Sequence, residues 1–369
     1  MTDNRLVART LTAFALLFCA ALSQPARAQE IGPETPCTRA APCTIDINFS
    51  YTTQGMIELQ AAARTYGARL DPCIQRQQQR ARADGRNLSS RWLSGYCLAV
   101  YLAVQDTEAL QNAFRISGVG DSPAVVLRGV VNPLSNAAPS DAGANPRVDD
   151  GEYAEGVVAF NERLLDSLVA NDRAMAGDII VVFTGYRSRS VRNGRVVYGC
   201  PANARADFEY PILIVPACET RMSGLDDHIN GFLHEIGHVF GAHHNESTDR
   251  GPCSQTSSAC AWENIGAFCT ITGQWNVNGQ GCISYHRGRG GSGWIWEYSH
   301  PGNCRSPGFE SFRCGDADRH NQVRAMRCNL RTIDLGPEIR DGRWTERTLP
   351  SNYRVAGEER TSCRWAVFR

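Results

Sequence analysis

Residues 234–244 read His-Glu-Ile-Gly-His-Val-Phe-Gly-Ala-His-His, and this stretch decides the local structure around it. His234 and His238 are four residues apart, so on an α-helix their imidazoles project from the same face, about one turn apart. Ser223 and Asp226 form an S-x-x-D capping pattern ahead of them, and apolar residues recur at helical spacing: Leu225, Ile229, Phe232, Ile236 and Val239. We therefore predict a helix that carries both histidines on one face.

The histidine spacing is that of a single metal site. Gly241 lies three residues after His238, where a residue that is free to adopt positive φ can end the helix and turn the chain back. That turn brings His244 round as a third ligand, and His243 is the rival for the same position. Three neutral imidazoles leave one coordination position of a Zn²⁺ ion open, which is the composition of a catalytic zinc site.

Glu235 is adjacent to the first histidine and is not needed as a ligand. Its carboxylate can take a proton from a zinc-activated water as that water attacks a carbonyl. An ordinary buried helix with chance histidines is the alternative, and it explains a bare H-E-x-x-H pattern better than the longer pattern with Gly241 and His244. We predict Glu235 as the general base and His234, His238 and His244 as zinc ligands.

The N-terminus has the layout of a secretory signal. Arg5 and Arg9 precede a largely apolar run at 11–22, and Ala-Arg-Ala at 26–28 is a small-x-small cleavage site. The apolar run is about 12 residues long, whereas a membrane-spanning helix needs roughly 20. We expect cleavage near Ala28 and a secreted or periplasmic product without a membrane span.

Composition excludes some partners and favours an oxidising compartment. The chain has 38 basic and 38 acidic residues, so no net charge attracts it to nucleic acid or to an anionic membrane. Of its 15 cysteines, removal of Cys19 with the signal leaves fourteen, an even number that favours disulfides in an exported chain. C-x-x-C spacing is absent from the sequence, so a zinc ribbon has no support, and the disulfide pairing stays open.

The remaining pattern predicts one mixed α/β domain. Thr44–Tyr51 alternates apolar with polar residues, as a half-buried strand does. A stretch with apolar residues at helical spacing (54–66) and a polar helix face (75–86) come next. They are followed by a strand-like run (124–131), a loop (132–151), a further helix (156–169) and two more strand-like runs (177–183 and 212–215). From residue 245 onward the chain is rich in Gly, Cys and Trp and lacks periodicity.

The pattern H-E-x-x-H-x-x-G-x-x-H resembles the signature of the metzincin zinc metalloendopeptidases. Ala-His-His-Asn after Gly241 is most similar to their reprolysin (adamalysin-like) branch, particularly its secreted bacterial members. The resemblance covers about residues 44–331, where 45–52, 110–131, 177–183 and 320–331 look like that family's strands and last helix. It implies an α/β (α+β) fold: a mixed, mostly parallel, twisted sheet with the active-site helix, followed by an irregular, disulfide-rich C-terminal half.

This resemblance also implies a division of the chain into domains and a tight turn beneath the metal site. The divisions are a signal peptide at 1–28, a short lead at 29–43, a zinc metalloprotease catalytic domain at 44–332 and a C-terminal tail of unknown role at 333–369. Metzincins place a Met-containing tight turn beneath the zinc, and 281–285, Gly-Cys-Ile-Ser-Tyr, resembles it with Ile283 at the Met position. Met326 is the other candidate. Tyr285 matches a tyrosine that contacts zinc or stabilises the oxyanion in the related astacins and serralysins, and a packed turn aromatic is the alternative.

Taken with the export signal, the resemblance implies a secreted zinc-dependent metalloendopeptidase that binds one catalytic Zn²⁺ ion and cleaves protein or peptide substrates. Two alternatives stay open: a zinc amidase acting on cell-wall peptides, and a non-proteolytic, disulfide-rich, zinc-containing binding or adhesion protein. Glu235 argues against the second, because a purely structural zinc site has no use for that carboxylate. We assign no role to the other histidines, which are His228, His286, His300 and His320. Calcium binding and oligomeric state stay open.

Overall fold

The computed structural model describes residues 37, 42–119, 124–130, 178–185, 188–192, 195–199, 205–206, 212–218, 225–244, 261–264, 268–272, 295–317 and 320–334. All of these residues belong to the unit Pro33–Arg369, and none belongs to the chain's other unit, Met1–Gly32. Several sequence predictions also lie outside the described residues: the signal peptide, the 132–151 loop, the 156–169 helix, and Ile283 and Tyr285. Those stay predictions.

A five-stranded sheet organises the described chain. Its strands are β1 (Thr44–Tyr51), β2 (Ala124–Val130), β3 (Ile179–Thr184), β6 (Arg205–Ala206) and β7 (Ile212–Pro216), in the spatial order β2-β1-β3-β7-β6. The first four in that order run parallel, and β6 pairs antiparallel with β7 at the edge. Two antiparallel hairpins complete the strands, β4 (Ser188–Arg192) with β5 (Arg195–Gly199) and β8 (Glu263–Asn264) with β9 (Phe268–Cys269). The mostly parallel α/β sheet that the sequence predicted is therefore confirmed.

Five α-helices are described, α1 (Thr53–Tyr66), α2 (Asp71–Ala83), α3 (Ser90–Ser117), α4 (Leu225–Val239) and α5 (Gln322–Asp334), and a 3-10 helix, Gly67–Leu70, joins α1 to α2. Local chemistry sets several of their ends. The Thr52 hydroxyl accepts from the Gly55 N–H at the start of α1, and Gly118 ends α3 in a left-handed conformation with φ 75°. Our sequence reading recognised only the last turns of α3, from residue 110. No helix in the described ranges is long and apolar enough to cross a membrane.

β1 is buried on both faces, so the prediction of a half-buried strand was wrong. Its apolar residues are in the core, and its alternate polar residues Asp46, Asn48 and Ser50 are only 8, 6 and 1 % exposed. One carboxylate oxygen of Asp46 accepts from the Arg128 guanidinium, which offsets part of the cost of burying that side chain. The alternation in this strand thus separates an apolar buried face from a polar buried face.

Aromatic packing joins the sheet to α4. Phe49 on β1 is fully buried, and its ring centroid lies 5.9 Å from that of Phe183 on β3 and 6.3 Å from that of Phe232 on α4. Buried aromatic pairs at this separation stabilise beyond the area that they remove from water. The histidine-bearing helix is therefore seated on the centre of the parallel sheet.

Disulfides cross-link the chain, as the cysteine count predicted. Cys73–Cys97 joins α2 to α3, Cys37–Cys43 closes a short loop before β1, and Cys304–Cys314 closes a loop before α5. Cys218, just after β7, is also disulfide-bonded. Cys73–Cys97, with a sequence separation of 24, closes the longest of these three loops and so restricts the unfolded chain most.

The seating of α4 gives a stability prediction. Phe49→Ala should lower the free energy of unfolding by about 3–5 kcal/mol, because it leaves a cavity between β1, β3 and α4. The measurement is urea unfolding followed by circular dichroism. Val126→Ala is the control, because Val126 on β2 is 36 % exposed, and we expect it to cost less than about 1 kcal/mol. Equal losses in the two variants would contradict this view of the core.

Candidate metal centre

α4 ends in a turn that the sequence made possible. Gly241 has φ 85°, the Gly241 N–H donates to the His238 carbonyl at 2.9 Å, and the Ala242 N–H donates to the Gly237 carbonyl at 2.9 Å. This pair of bonds is the Schellman arrangement, which satisfies the last helical carbonyls and reverses the chain. His243 and His244 therefore turn back towards the face of α4 that carries the first two histidines.

Three imidazoles meet at this turn. The Nε2 atoms are 3.2 Å apart for His234 and His238, 3.1 Å for His234 and His244, and 3.0 Å for His238 and His244. A tetrahedral ion about 2.0–2.1 Å from each nitrogen would require nitrogens roughly 3.3 Å apart. The three residues consequently form a group that could hold a metal ion.

The chemistry of His238 fits a ligand. Its Nδ1 lies 2.6 Å from the Ala242 carbonyl oxygen; a carbonyl only accepts, so Nδ1 carries the proton and donates. In the neutral ring, Nε2 then keeps its lone pair towards the other two imidazoles. Burial, together with the neighbouring His244 imidazole, lowers the pKa of His238 to about 3, which keeps the ring neutral at physiological pH. A backbone carbonyl that fixes the tautomer is a common support for a metal-binding histidine.

The structure distinguishes between His243 and His244, the two candidates for the third metal ligand. His244 belongs to the group of three, whereas His243 does not. The His243 carbonyl oxygen instead accepts hydrogen bonds from the Thr272 hydroxyl at 2.7 Å, the Gln322 side-chain amide at 3.0 Å and the Ala261 N–H at 3.1 Å. His243 thus anchors the turn while the next residue faces the centre.

Glu235 follows His234 on α4 and is 9 % exposed. It is not a member of the ligand group. Its role as the general base stays a prediction.

A segment that our sequence reading overlooked packs beneath α4. Tyr298 is fully buried, and its hydroxyl donates to the Leu233 carbonyl at 2.9 Å. A Cβ placed on Gly237 would lie 2.9 Å from Tyr298 Cε1 and 2.7 Å from Thr272 Cγ2, so the helix backbone approaches both side chains closely. Met326 is buried within α5, so it cannot form the tight turn for which it was a candidate.

Two buried acidic side chains have histidine partners outside this centre. Asp106 on α3 lies 3.1 Å from His228 Nε2, with both side chains fully buried, and burial raises the pKa of Asp106 although His228 opposes the shift. The sequence signal was an aspartate in the apolar face of a long helix.

Glu297 lies 2.7 Å from His300 Nε2 and also accepts from the Arg305 N–H and from Ser306. Glu297, His300 and Cys314 offer ligand atoms close to one another. Cys314, however, is bonded to Cys304, and Glu297 is occupied by donors, so this group holds its loop together.

Comparison with known proteins adds no family. No protein-family model matches the chain, and no curated protein matches it. A solved structure described as "Structure of a chaperone-substrate complex" is similar over 79 % of this chain and 35 % of that chain, with 15 % identity and a TM-score of 0.40. That likeness is too weak to carry an argument. The molecule is therefore defined by its own geometry, as an α/β protein with a three-histidine group that could hold a metal ion.

The choice between the adjacent histidines can be tested by metal binding. His244→Ala should weaken Zn²⁺ binding by more than about 100-fold, because loss of a direct ligand exceeds the 10–100-fold typical of supporting residues. His243→Ala keeps the backbone carbonyl that anchors the turn and should bind Zn²⁺ within about tenfold of the unaltered protein. Titration against a competing chelator measures both. A larger loss in His243→Ala than in His244→Ala would reverse the assignment.

Proposed function

We propose that this chain is a secreted, zinc-dependent metalloendopeptidase. The observation that carries the proposal is the approach of three imidazole Nε2 atoms to within 3.0–3.2 Å of one another. Glu235, the residue that follows His234 on α4, is not one of the ligands. A site with three protein ligands and an adjacent base is what metal-assisted hydrolysis needs, whereas structural zinc sites have four ligands.

Zinc is the ion that suits this donor set best. Imidazole nitrogen is a ligand that Zn²⁺ accepts readily, and hard ions such as Mg²⁺ and Ca²⁺ prefer oxygen. Within the described ranges, the site offers three histidines and no fourth ligand. A bound Zn²⁺ would supply two effects, polarisation of a substrate carbonyl and a lowered pKa for water.

The remaining work falls to groups of the protein. Glu235 is proposed to accept the proton of the attacking water and to deliver a proton to the leaving amine. Glu235 is 9 % exposed, and burial of a carboxylate away from water favours its protonated form and so suits a group that must accept a proton. His238 is held neutral by burial, and its ring is oriented by the Ala242 carbonyl. The turn at Gly241 brings the third imidazole to the other two.

An extracellular or periplasmic location is part of the proposal. Three disulfides among the described residues are compatible with an oxidising compartment, in which such bonds persist. The secretory signal at residues 1–28 is the sequence feature that supports export.

Glu235→Gln tests the proposed base. It should lower kcat/KM for peptide hydrolysis by about 10²–10⁴-fold, because the amide cannot take the proton. Zinc stoichiometry should stay at one, since Glu235 is not a ligand. Glu108→Gln is the matched control, because Glu108 is an exposed carboxylate on α3, and its kcat/KM should be unchanged. Unaltered turnover in Glu235→Gln would remove the base role, and loss of zinc would make Glu235 a ligand.

The substrate class needs its own experiment. The mature protein, loaded with one equivalent of Zn²⁺, is incubated with a denatured proteome and separately with peptidoglycan fragments, and the products are identified by mass spectrometry. New peptide termini within proteins would support the endopeptidase. Products from peptidoglycan alone would instead favour the cell-wall amidase, and no product from either would favour a non-proteolytic zinc protein.

A further inference from the structure

The third imidazole of the centre is held in place by different contacts from the first two. His234 and His238 are fixed by the geometry of α4, whose backbone bonds set their spacing. His244 follows the end of that helix, in a segment without regular structure. Its backbone must therefore be held by tertiary contacts if its imidazole is to meet the other two.

Those contacts converge on one atom, the carbonyl oxygen of His243. Three donors reach it: the Thr272 hydroxyl and the Ala261 N–H, which flank the β8–β9 hairpin, and the Gln322 side-chain amide from α5. A carbonyl oxygen has two lone pairs, so three donors saturate it. Because this carbonyl belongs to the peptide that joins His243 to His244, its fixed direction also fixes the start of the His244 backbone.

Gln322 is the residue that joins these segments. Its side chain is fully buried at the first position of α5. The amide nitrogen donates to the His243 carbonyl at 3.0 Å and to the Thr272 hydroxyl, while the amide oxygen accepts from the Ser299 N–H at 2.9 Å. The Gln322 N–H also donates to the Ser299 hydroxyl at 3.1 Å. The acceptor role of the amide oxygen sets the orientation of the side chain, so its nitrogen points at His243.

We propose that Gln322 is the positioning residue for the third metal ligand: it fixes the His243 carbonyl and thereby holds His244 in place for the ion. Gln322 does not belong to the ligand group, so it acts through the peptide. The inference rests on the proposed metal site and identifies the contact that completes it. Sequence alone gave no sign of this role, because Gln322 is 79 residues from His243.

The test is metal affinity in Gln322→Leu, which keeps a side chain of similar size and removes the amide. We expect Zn²⁺ affinity, measured against a competing chelator, to fall about 10–100-fold, as is typical for residues that orient a ligand. The Co²⁺-loaded variant should also show a changed visible spectrum, since that spectrum reports the coordination geometry. Affinity and spectrum equal to those of the unaltered protein would overturn the proposal.

Asn329→Leu is the matched control for general loss of a buried amide. Asn329 lies on the same helix, is fully buried and donates to the Phe240 carbonyl at 3.0 Å. We expect it to lose stability to a similar degree while its Zn²⁺ affinity stays within about threefold. If Asn329→Leu weakened Zn²⁺ binding as much as Gln322→Leu, the effect would be general destabilisation and the proposal would fail.

A milder variant keeps the test decisive if Gln322→Leu does not fold. Gln322→Met keeps an unbranched side chain of nearly the same length and removes the amide. We expect it to weaken Zn²⁺ binding about 10–100-fold, and unchanged affinity would overturn the proposal. Absence of Zn²⁺ binding in the unaltered protein would instead count against the proposed function, which separates the two failures.

Discussion

Three imidazole nitrogens, each within 3.0–3.2 Å of the other two, meet at the end of α4, and much of the described structure can be understood from what that approach requires. Nitrogens at this separation match the spacing around a tetrahedral ion, so the three residues could hold a cation between them. Two nitrogens come from one helix, and the third comes from the chain that follows it. The fold must therefore place a helix rigidly and also hold an irregular segment against it.

Rigid placement comes from the sheet. β1 is central and buried on both faces, and Phe49 on it packs with Phe183 and with Phe232 of α4. On the other side, Tyr298 donates to the Leu233 carbonyl, and the lack of a side chain at Gly237 allows Tyr298 and Thr272 to approach. α4 is thus confined between the sheet and the segment that contains Tyr298, which limits the movement of His234 and His238.

Features of the fold and site that depend on neighbouring residues could be predicted from the sequence, whereas contacts between residues far apart in the chain could not. The spacing of His234 and His238 and the positive φ of Gly241 are local properties, so a short pattern was enough to anticipate them. Strands buried on both faces, such as β3, were equally visible as continuous apolar runs. The contact of Gln322 with the His243 carbonyl and the pairing of Asp106 with His228 join residues 79 and 122 positions apart, and no local pattern carries such information. The burial of both faces of β1 was hard to predict for a related reason: alternation cannot distinguish a polar face that meets solvent from a polar face that the rest of the fold covers.

The proposed zinc site has three histidine ligands and one open coordination position. X-ray absorption at the zinc K edge, on protein carrying one equivalent of Zn²⁺, measures its first shell. We expect three imidazole nitrogens at about 2.0–2.1 Å, one light oxygen ligand and no sulfur. A first shell that contains sulfur at about 2.3 Å, or fewer than three imidazoles, would contradict it.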